Sequence, residues 1–275
     1  MQMRETAYAK INLALHVRRR REDGYHELET LFAFAADGDC LTAEPADMLS
    51  LSITGPFAGD LEADESNLVL RAAKALQVAS GTGLGAAIVL DKRLPVAAGI
   101  GGGSADAAAA LRLLARLWDV TVSDAAMQEI AVGLGADVPG CLQSRTVFGS
   151  GVGERLAPFA ADGIADTPLL LVNPLKPCPT GPVFKAWDGV DRGALDPRSW
   201  HNARNDLEAP ATGLVSEIAD VIVQLTTQSG AHLVRMSGSG ATCFALFNSL
   251  DERDKAATAI SASRPDWWLL PTVLR

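Results

Sequence analysis

Apolar and polar residues alternate along residues 7–17: Ala7, Ala9, Ile11, Leu13, Leu15 and Val17 form one set, Tyr8, Lys10, Asn12, Ala14 and His16 the other. A period of two predicts a strand with one buried face. Lys10 and Asn12 then project from the same side, their Cα atoms about 6.6 Å apart at two strand rises. A lone lysine on such a strand ordinarily meets solvent, so any chemistry it does depends on its partners. Further strand-like pieces fall at 39–44, 49–54 and 86–90, with a pair at 146–149 and 151–156 around a glycine turn. Helical spacing follows Asn67 (Leu68, Val69, Ala72, Leu76), Ser104 (Ala107, Ala110, Leu111, Leu114, Trp118) and Ser123 (Ala126, Met127, Ile130, Leu134). Each of these polar residues is a predicted N-cap.

The pattern breaks for the first sustained stretch at 158–166, which sets the expected division into domains 1–158 and 159–275. Beyond it come a strand at 169–172, a short helix near 183–187 and a helix running from Asn205 through Leu225. A strand at 232–236, the turn Ser237-Gly238-Ser239-Gly240, a strand at 241–247, a helix at 251–261 and a strand at 267–273 complete the chain. The order β-α-β-β-α-β is the ferredoxin-like, split arrangement, so the expected class is α+β.

The stretch from Leu94 to Ala110 organises the rest. Four of the five residues 99–103 are glycine, which permits positive φ and lets a ligand approach bare backbone, and the loop opens directly into the alanine-rich helix. A helix N-terminus offers unpaired N–H groups and the positive end of the macrodipole, a ready site for phosphate. A tight turn in which glycine only allows close packing fits the loop equally well. Gly99, Gly101 and Ser104 do not complete a Gly-x-Gly-x-x-Gly fingerprint, and no Gly-Lys-Ser/Thr follows. A Rossmann-type dehydrogenase and a Walker loop are both disfavoured, and any cation for a bound phosphate must come from elsewhere.

Composition narrows the partners. Of 275 residues 48% are hydrophobic and 21% charged, a globular composition, and the net charge of −9 disfavours general nucleic-acid binding. Arg18-Arg19-Arg20-Arg21 is a local basic run that reads most simply as a solvated turn. Cys40, Cys141, Cys178 and Cys243 are dispersed, as are His16, His26, His201 and His232, which argues against structural zinc and a disulfide framework. No signal-type core opens the chain and no apolar run approaches about 18 residues, so a soluble cytoplasmic protein without membrane partner is expected.

Two shorter pieces carry candidate chemistry. Tyr25-His26 at a strand entrance could stack on a flat heterocycle and hydrogen-bond to its edge, although half-buried packing is the commoner use of such a pair. Asp137, in Gly135-Ala136-Asp137-Val138-Pro139, sits at a helix end, where aspartate most often closes an Asx turn.

Together these pieces resemble the GHMP kinase family: a lysine-bearing strand in Ala9-Lys10-Ile11-Asn12-Leu13, the Pro-x-x-x-Gly-x-Gly-Gly-Gly-Ser loop from Pro95 to Ser104, and Ser237-Gly238-Ser239-Gly240, in that order. The resemblance spans almost the whole chain. Asp23-Gly24-Tyr25-His26 with Glu29-Thr30, the Asp137 motif, and Gly151-Val152-Gly153-Glu154 narrow it to a member acting on a cytidine-diphosphate alcohol.

The resemblance implies a ribosomal-protein-S5-like N-terminal half, a ferredoxin-like C-terminal half, and ATP and substrate meeting in a cleft. It implies ATP-dependent phosphorylation of cytidine-diphosphate methylerythritol in the non-mevalonate isoprenoid pathway, with Mg²⁺. Mevalonate, homoserine or sugar kinases of the same family, and a catalytically silent nucleotide-binding relative, are the alternatives. Lys10 and Asp137 match the catalytic pair, and Asn12, Tyr25, His26, Phe184 and Gly238 the substrate contacts. Pro95, Ala98, Gly99, Ile100, Gly101, Gly102, Gly103 and Ser104 match the phosphate loop, with Ser104 also the candidate metal ligand. Asn67 and Lys92 lie where the family places adenosine contacts. Ala105 stands where many such loops carry a second serine. A monomer or weak homodimer is the expected assembly.

Overall fold

The N-terminal alternation becomes strand β1 (Met3–Arg20) in the computed structural model, which describes residues 1–160 and 163–275. Both faces of β1 are covered: Lys10, Asn12 and His16 are buried along with Ile11 and Leu13. The expected half-exposed strand is therefore a core strand, and its polar residues must find partners inside the protein. Strand β2 (His26–Ala46) pairs with β1. The chain divides into two compact units, and both long strands run through each of them.

The first unit comprises Met1–Ala9, Asp37–Val96 and Gly101–Ser144. In it the C-terminal part of β2 pairs antiparallel with β4 (Gly85–Asp91), from Cys40 opposite Asp91 to Ala46 opposite Gly85, and β3 (Leu49–Thr54) lies parallel on β4. Helix α1 (Leu68–Ser80) starts where predicted, its Asn67 side-chain oxygen accepting from Val69 N at 3.0 Å. It packs on α2 (Gly102–Leu117), with Val69, Ala72 and Leu76 buried on α1 and Ala105 and Ala107 to Ala110 buried on α2. Helices α3 (Asp124–Leu134), capped by Ser123, and α4 (Val138–Gln143) complete the unit.

The second unit comprises Lys10–Ala36, Ala97–Ile100 and Arg145–Arg275. Here the N-terminal part of β2 pairs with β5 (Val147–Gly151), which pairs in turn with β6 (Arg155–Pro158). A second sheet has the order β10-β7-β9-β8, all antiparallel: β7 (Pro168–Asn173), β8 (Ala231–Met236), β9 (Cys243–Phe247) and β10 (Trp268–Val273). Helix α7 (Glu217–Thr226) precedes β8 and α8 (Leu250–Ser263) precedes β10, which is the expected ferredoxin-like order. Leu170, Val172, Ile218, Val221 and Ile260 close their core. Before these helices lie α5 (Thr180–Lys185) and α6 (Glu208–Leu214).

The expected continuous helix through Leu225 is two helices. Val215, extended at φ −134° and ψ 91°, separates α6 from α7 and turns its own side chain into the core. The first sheet ends at Pro158 and the second begins at Pro168, whereas the compact units are each discontinuous in sequence, because β1 and β2 contribute residues to both. Two residues of the predicted break, 161 and 162, lie outside the described residues.

Candidate active site

Helix α2 begins without a side-chain cap. Gly101 occupies the N-cap position in the left-handed region (φ 62°, ψ 24°) and contributes no side-chain cap, while α1, α3 and α8 are capped by Asn67, Ser123 and Ser249. Ser104 is thus the third helical residue and not the predicted cap; glycine takes that position because it alone enters αL freely. The first turn holds no acidic side chain, Gly103 is exposed, and Gly102 and Ser104 are half-exposed. Uncapped amides at the positive end of a sixteen-residue helix fit a polyphosphate, and the Ser104 hydroxyl stands among them as an oxygen donor.

Beneath this turn lies a buried charge cluster. Lys92 Nζ is 2.6 Å from Asp39 Oδ2 and 2.6 Å from Asp106 Oδ2, with all three side chains almost fully buried. Asp39 Oδ1 also accepts from Arg93 N at 2.6 Å and Leu94 N at 2.8 Å. Burial opposes the Lys92 ammonium, but the Asp106 and Asp39 carboxylates outweigh it and hold its pKa above the ordinary lysine value. Burial pushes the Asp106 carboxyl up to about 7, opposed by Lys92 and reinforced by Asp39. Lys92, expected among the adenosine contacts, has its ammonium enclosed by these two carboxylates. Asn67 donates to Glu62 O at 2.9 Å besides capping α1, so its amide keeps one N–H and one lone pair.

In the second unit, β1 and the Ser237–Gly240 turn meet the residues 97–100. Lys10 N donates to Ile100 O at 3.0 Å, and Thr242 N to Ala98 O at 3.2 Å. Ser237 Oγ accepts from Asn12 N at 3.2 Å and donates to Gly99 O at 2.9 Å. Glycine is required here by packing: a Cβ at Gly99 (φ +76°) would lie 2.6 Å from Ser237 O, and one at Gly238 (φ +56°) 2.8 Å from Gly99 O. Asn205 Nδ2 donates to Met236 O and Gly238 O, both at 2.8 Å, holding the turn from below.

Lys10 emerges from this framework with its ammonium 2.9 Å from Asn12 Oδ1 and 5.2 Å from the centroid of Phe32. Asn12 Nδ2 donates to Thr30 Oγ1 at 2.7 Å, which donates to Ala14 O at 2.7 Å. This chain of donors fixes the Asn12 amide so that its oxygen faces the ammonium.

A separate aromatic group surrounds His26. Its ring lies 5.0 Å from Phe184 at an interplanar angle of 37°, and 5.7 Å from Trp187 edge-on at 83°. Arg20 Nε donates to His26 Nε2 at 3.3 Å, which leaves the other ring nitrogen as the N–H donor. Burial and the Arg20 charge lower the His26 pKa, so the ring is neutral at physiological pH. Tyr25 is 63% exposed at the turn before β2, its amide bonded to Asp23 Oδ1. The expected trio of Tyr25, His26 and Phe184 is brought together within one unit, and α5 and the residues after it supply Trp187, which the sequence did not single out.

The basic run is consumed locally. Arg18 pairs with Glu29 and Asp191, Arg19 with Glu27, and Arg21 with Asp23. Asp137, half-buried in the first unit, immediately precedes α4 with helical backbone and no capping bond from its side chain. Pro95 is buried at the start of the loop. Asp39 and Asp106 were not predicted; the available signal was a lone aspartate in the alanine run 105–110.

Comparison with known proteins identifies the family. The GHMP kinases N terminal domain matches residues 67–145, and the GHMP kinases C terminal domain residues 188–266. The 4-diphosphocytidyl-2-C-methyl-D-erythritol kinase of Rhizorhabdus wittichii is 58% identical over 277 aligned positions, covering 98% of this chain and 94% of that protein. The enzyme of the same name from Novosphingobium aromaticivorans is 54% identical over 279 positions, covering 100% of this chain and 94% of its own. A crystal structure of 4-(cytidine 5'-diphospho)-2C-methyl-D-erythritol kinase matches with a TM-score of 0.85 at 37% identity over 99% of both chains. The chain belongs to the GHMP kinase family and has its two-domain α+β fold. It is an ATP-dependent kinase. Among the described residues, no helix is long and apolar enough to cross a membrane.

Proposed function

We propose that this kinase transfers the γ-phosphoryl group of ATP to the 2-hydroxyl of 4-diphosphocytidyl-2-C-methyl-D-erythritol, in the cytoplasm, as a monomer or weak homodimer. The observation that carries the substrate assignment is the His26 cluster. A neutral imidazole, held by Arg20 against Phe184 and Trp187 and followed outward by exposed Tyr25, offers a flat apolar face with a directed N–H at its rim. A pyrimidine base needs both, whereas mevalonate, homoserine and sugars have no planar aromatic ring to stack. The names carried by relatives at 50–58% identity agree with this choice.

Phosphoryl transfer passes through a loose transition state, so alignment and charge neutralisation outweigh covalent help from protein. The backbone amides of residues 100–104 receive the phosphates, and the α2 dipole adds to the field. Mg²⁺, when bound, would neutralise phosphate charge, and the Ser104 hydroxyl would be its protein ligand. Asp137 orients the substrate hydroxyl and takes its proton. Lys10, held by Asn12, stabilises negative charge on the phosphoryl group in transit, while Asn12 and Gly238 line the path of the substrate alcohol. Asn67 uses its remaining N–H for adenosine. Residues 1–158 form the ATP-binding domain and 159–275 the ferredoxin-like one.

Purified protein with ATP and Mg²⁺ should phosphorylate the cytidylyl substrate and leave mevalonate, homoserine and galactose untouched at equal concentration. Comparable turnover of any of those three removes the assignment.

A further inference from the structure

The cluster of Lys92, Asp39 and Asp106 contains none of the groups assigned to the reaction, yet it joins the segment entering the glycine loop to the helix leaving it. Asp39 clamps three donors in a row, the Lys92 ammonium and the amides of Arg93 and Leu94. The same ammonium reaches Asp106 on α2, 2.6 Å away. A Cβ at Gly102, the first helical residue, would sit 3.1 Å from Lys92 Nζ, so the ammonium lies directly under the turn whose amides are uncapped.

Two explanations of a buried lysine at this place can be separated by charge. As an attractor of phosphate the cluster fails, because two carboxyls surround one ammonium and the ammonium is only 1% exposed. As a stabiliser it is also a poor choice, since a buried ion pair is commonly matched or bettered by hydrophobic residues of the same volume. The cluster even leaves Asp106 Oδ1 buried without a hydrogen-bond partner. What it does supply is fixed geometry: directional bonds at both ends of a glycine-rich segment that has few side chains of its own to set its path.

We propose that Lys92, Asp39 and Asp106 are positioning residues for the nucleotide, holding the first turn of α2 where its amides receive the phosphates of ATP. The proposal rests on reading that turn as the phosphate site of the kinase described above.

Asp106→Asn keeps the side-chain shape and an acceptor for Lys92. With folding checked by thermal denaturation, it is expected to raise the KM for ATP and the calorimetric Kd for ATP about tenfold, equivalent to about 1.4 kcal/mol. The KM for the cytidylyl substrate should stay within about twofold, a split that general loosening of the fold would not produce. Asp39→Asn is expected to behave in the same way. Lys92→Met combined with Asp39→Asn and Asp106→Leu removes every charge of the cluster, covers the case in which single substitutions prevent folding, and should keep its thermal midpoint while losing ATP affinity. A folded variant of this set with unchanged ATP affinity overturns the proposal while the kinase reading stands. Failure of the unsubstituted protein to bind ATP overturns both.

Discussion

Lys10 Nζ donates to Asn12 Oδ1 at 2.9 Å, two residues along one face of β1. The bond is charge-assisted, and Thr30 fixes the asparagine from the other side. Hydrogen bonds to charged groups contribute about 1.5–3 kcal/mol. If the bond tightens as negative charge develops on the phosphoryl group, Asn12→Ala should lower kcat by about 10- to 100-fold, since each 1.36 kcal/mol is about one decade. Steady-state kinetics with both substrates checks this, and an unchanged kcat would separate Lys10 from its neighbour.

Asp137→Asn should lower kcat by about 10²–10⁴-fold with little change in either KM, the usual effect of removing a general base. The substitution preserves shape, and thermal denaturation checks that the fold is kept. Near-normal turnover would remove Asp137 from the role of base.

Substrate recognition should weaken on acidification. Burial, with the charge of Arg20, puts the folded pKa of His26 below its ordinary value of 6.5. His16 is lowered in the same sense, by burial and then by Arg204. The unfolded chain therefore takes up protons that the folded chain refuses. Stability from these groups is fully present above pH 6.5 and is lost as pH falls through the lowered folded values. The thermal midpoint should drop along that path, and the KM for the cytidylyl substrate should rise as His26 acquires charge beside Arg20. His26→Ala should raise that KM at neutral pH and flatten its dependence on pH. A KM indifferent to both changes would place the base elsewhere.

Two glycines of one loop should respond to alanine in different ways. At Gly99 the new methyl would lie 2.6 Å from Ser237 O and 2.7 Å from Gly240 O with φ at +76°, backbone that cannot yield cheaply. Overpacking together with left-handed strain costs about 1–3 kcal/mol for each contribution, so Gly99→Ala should lower the thermal midpoint by many degrees. At Gly103 the methyl would meet Leu68 Cδ1 at 3.6 Å, an ordinary contact on an exposed helical residue. Gly103→Ala should keep or slightly raise stability, because alanine is the better helix former, while weakening ATP binding at the crowded phosphate face. Equal thermal midpoints for the two variants would contradict the packing seen around Gly99.

Much of the framework was readable before any coordinates. The alternation at 7–17, the Asn67 and Ser123 caps, and the order of strands and helices after Pro158 are local signals, carried by residues within a turn or two of one another. In three places another residue or the core overruled the local preference. Ser104 has the chemistry of a cap, but Gly101 in the left-handed region starts the helix three residues earlier. Residues 205–225 have helical spacing throughout, but the core takes Val215 in an extended conformation and splits the helix. Trp187 joins His26 only because α5 brings it back across the chain.

The amino-acid order by itself determined the class of protein: three motifs in sequence, a glycine run opening a helix, and a ferredoxin-like second half. It also determined which residue types were available for phosphoryl transfer. The tertiary structure decided which of those groups are free to meet a ligand and which are held by the protein. The fold holds the Lys92 ammonium between Asp39, 53 residues away in sequence, and Asp106, 14 residues away. The physical reason is that periodicity and caps are set by neighbours along the chain. The state of a buried charge is set by whichever opposite charge the fold delivers to it, and that pairing leaves no periodic trace in the sequence.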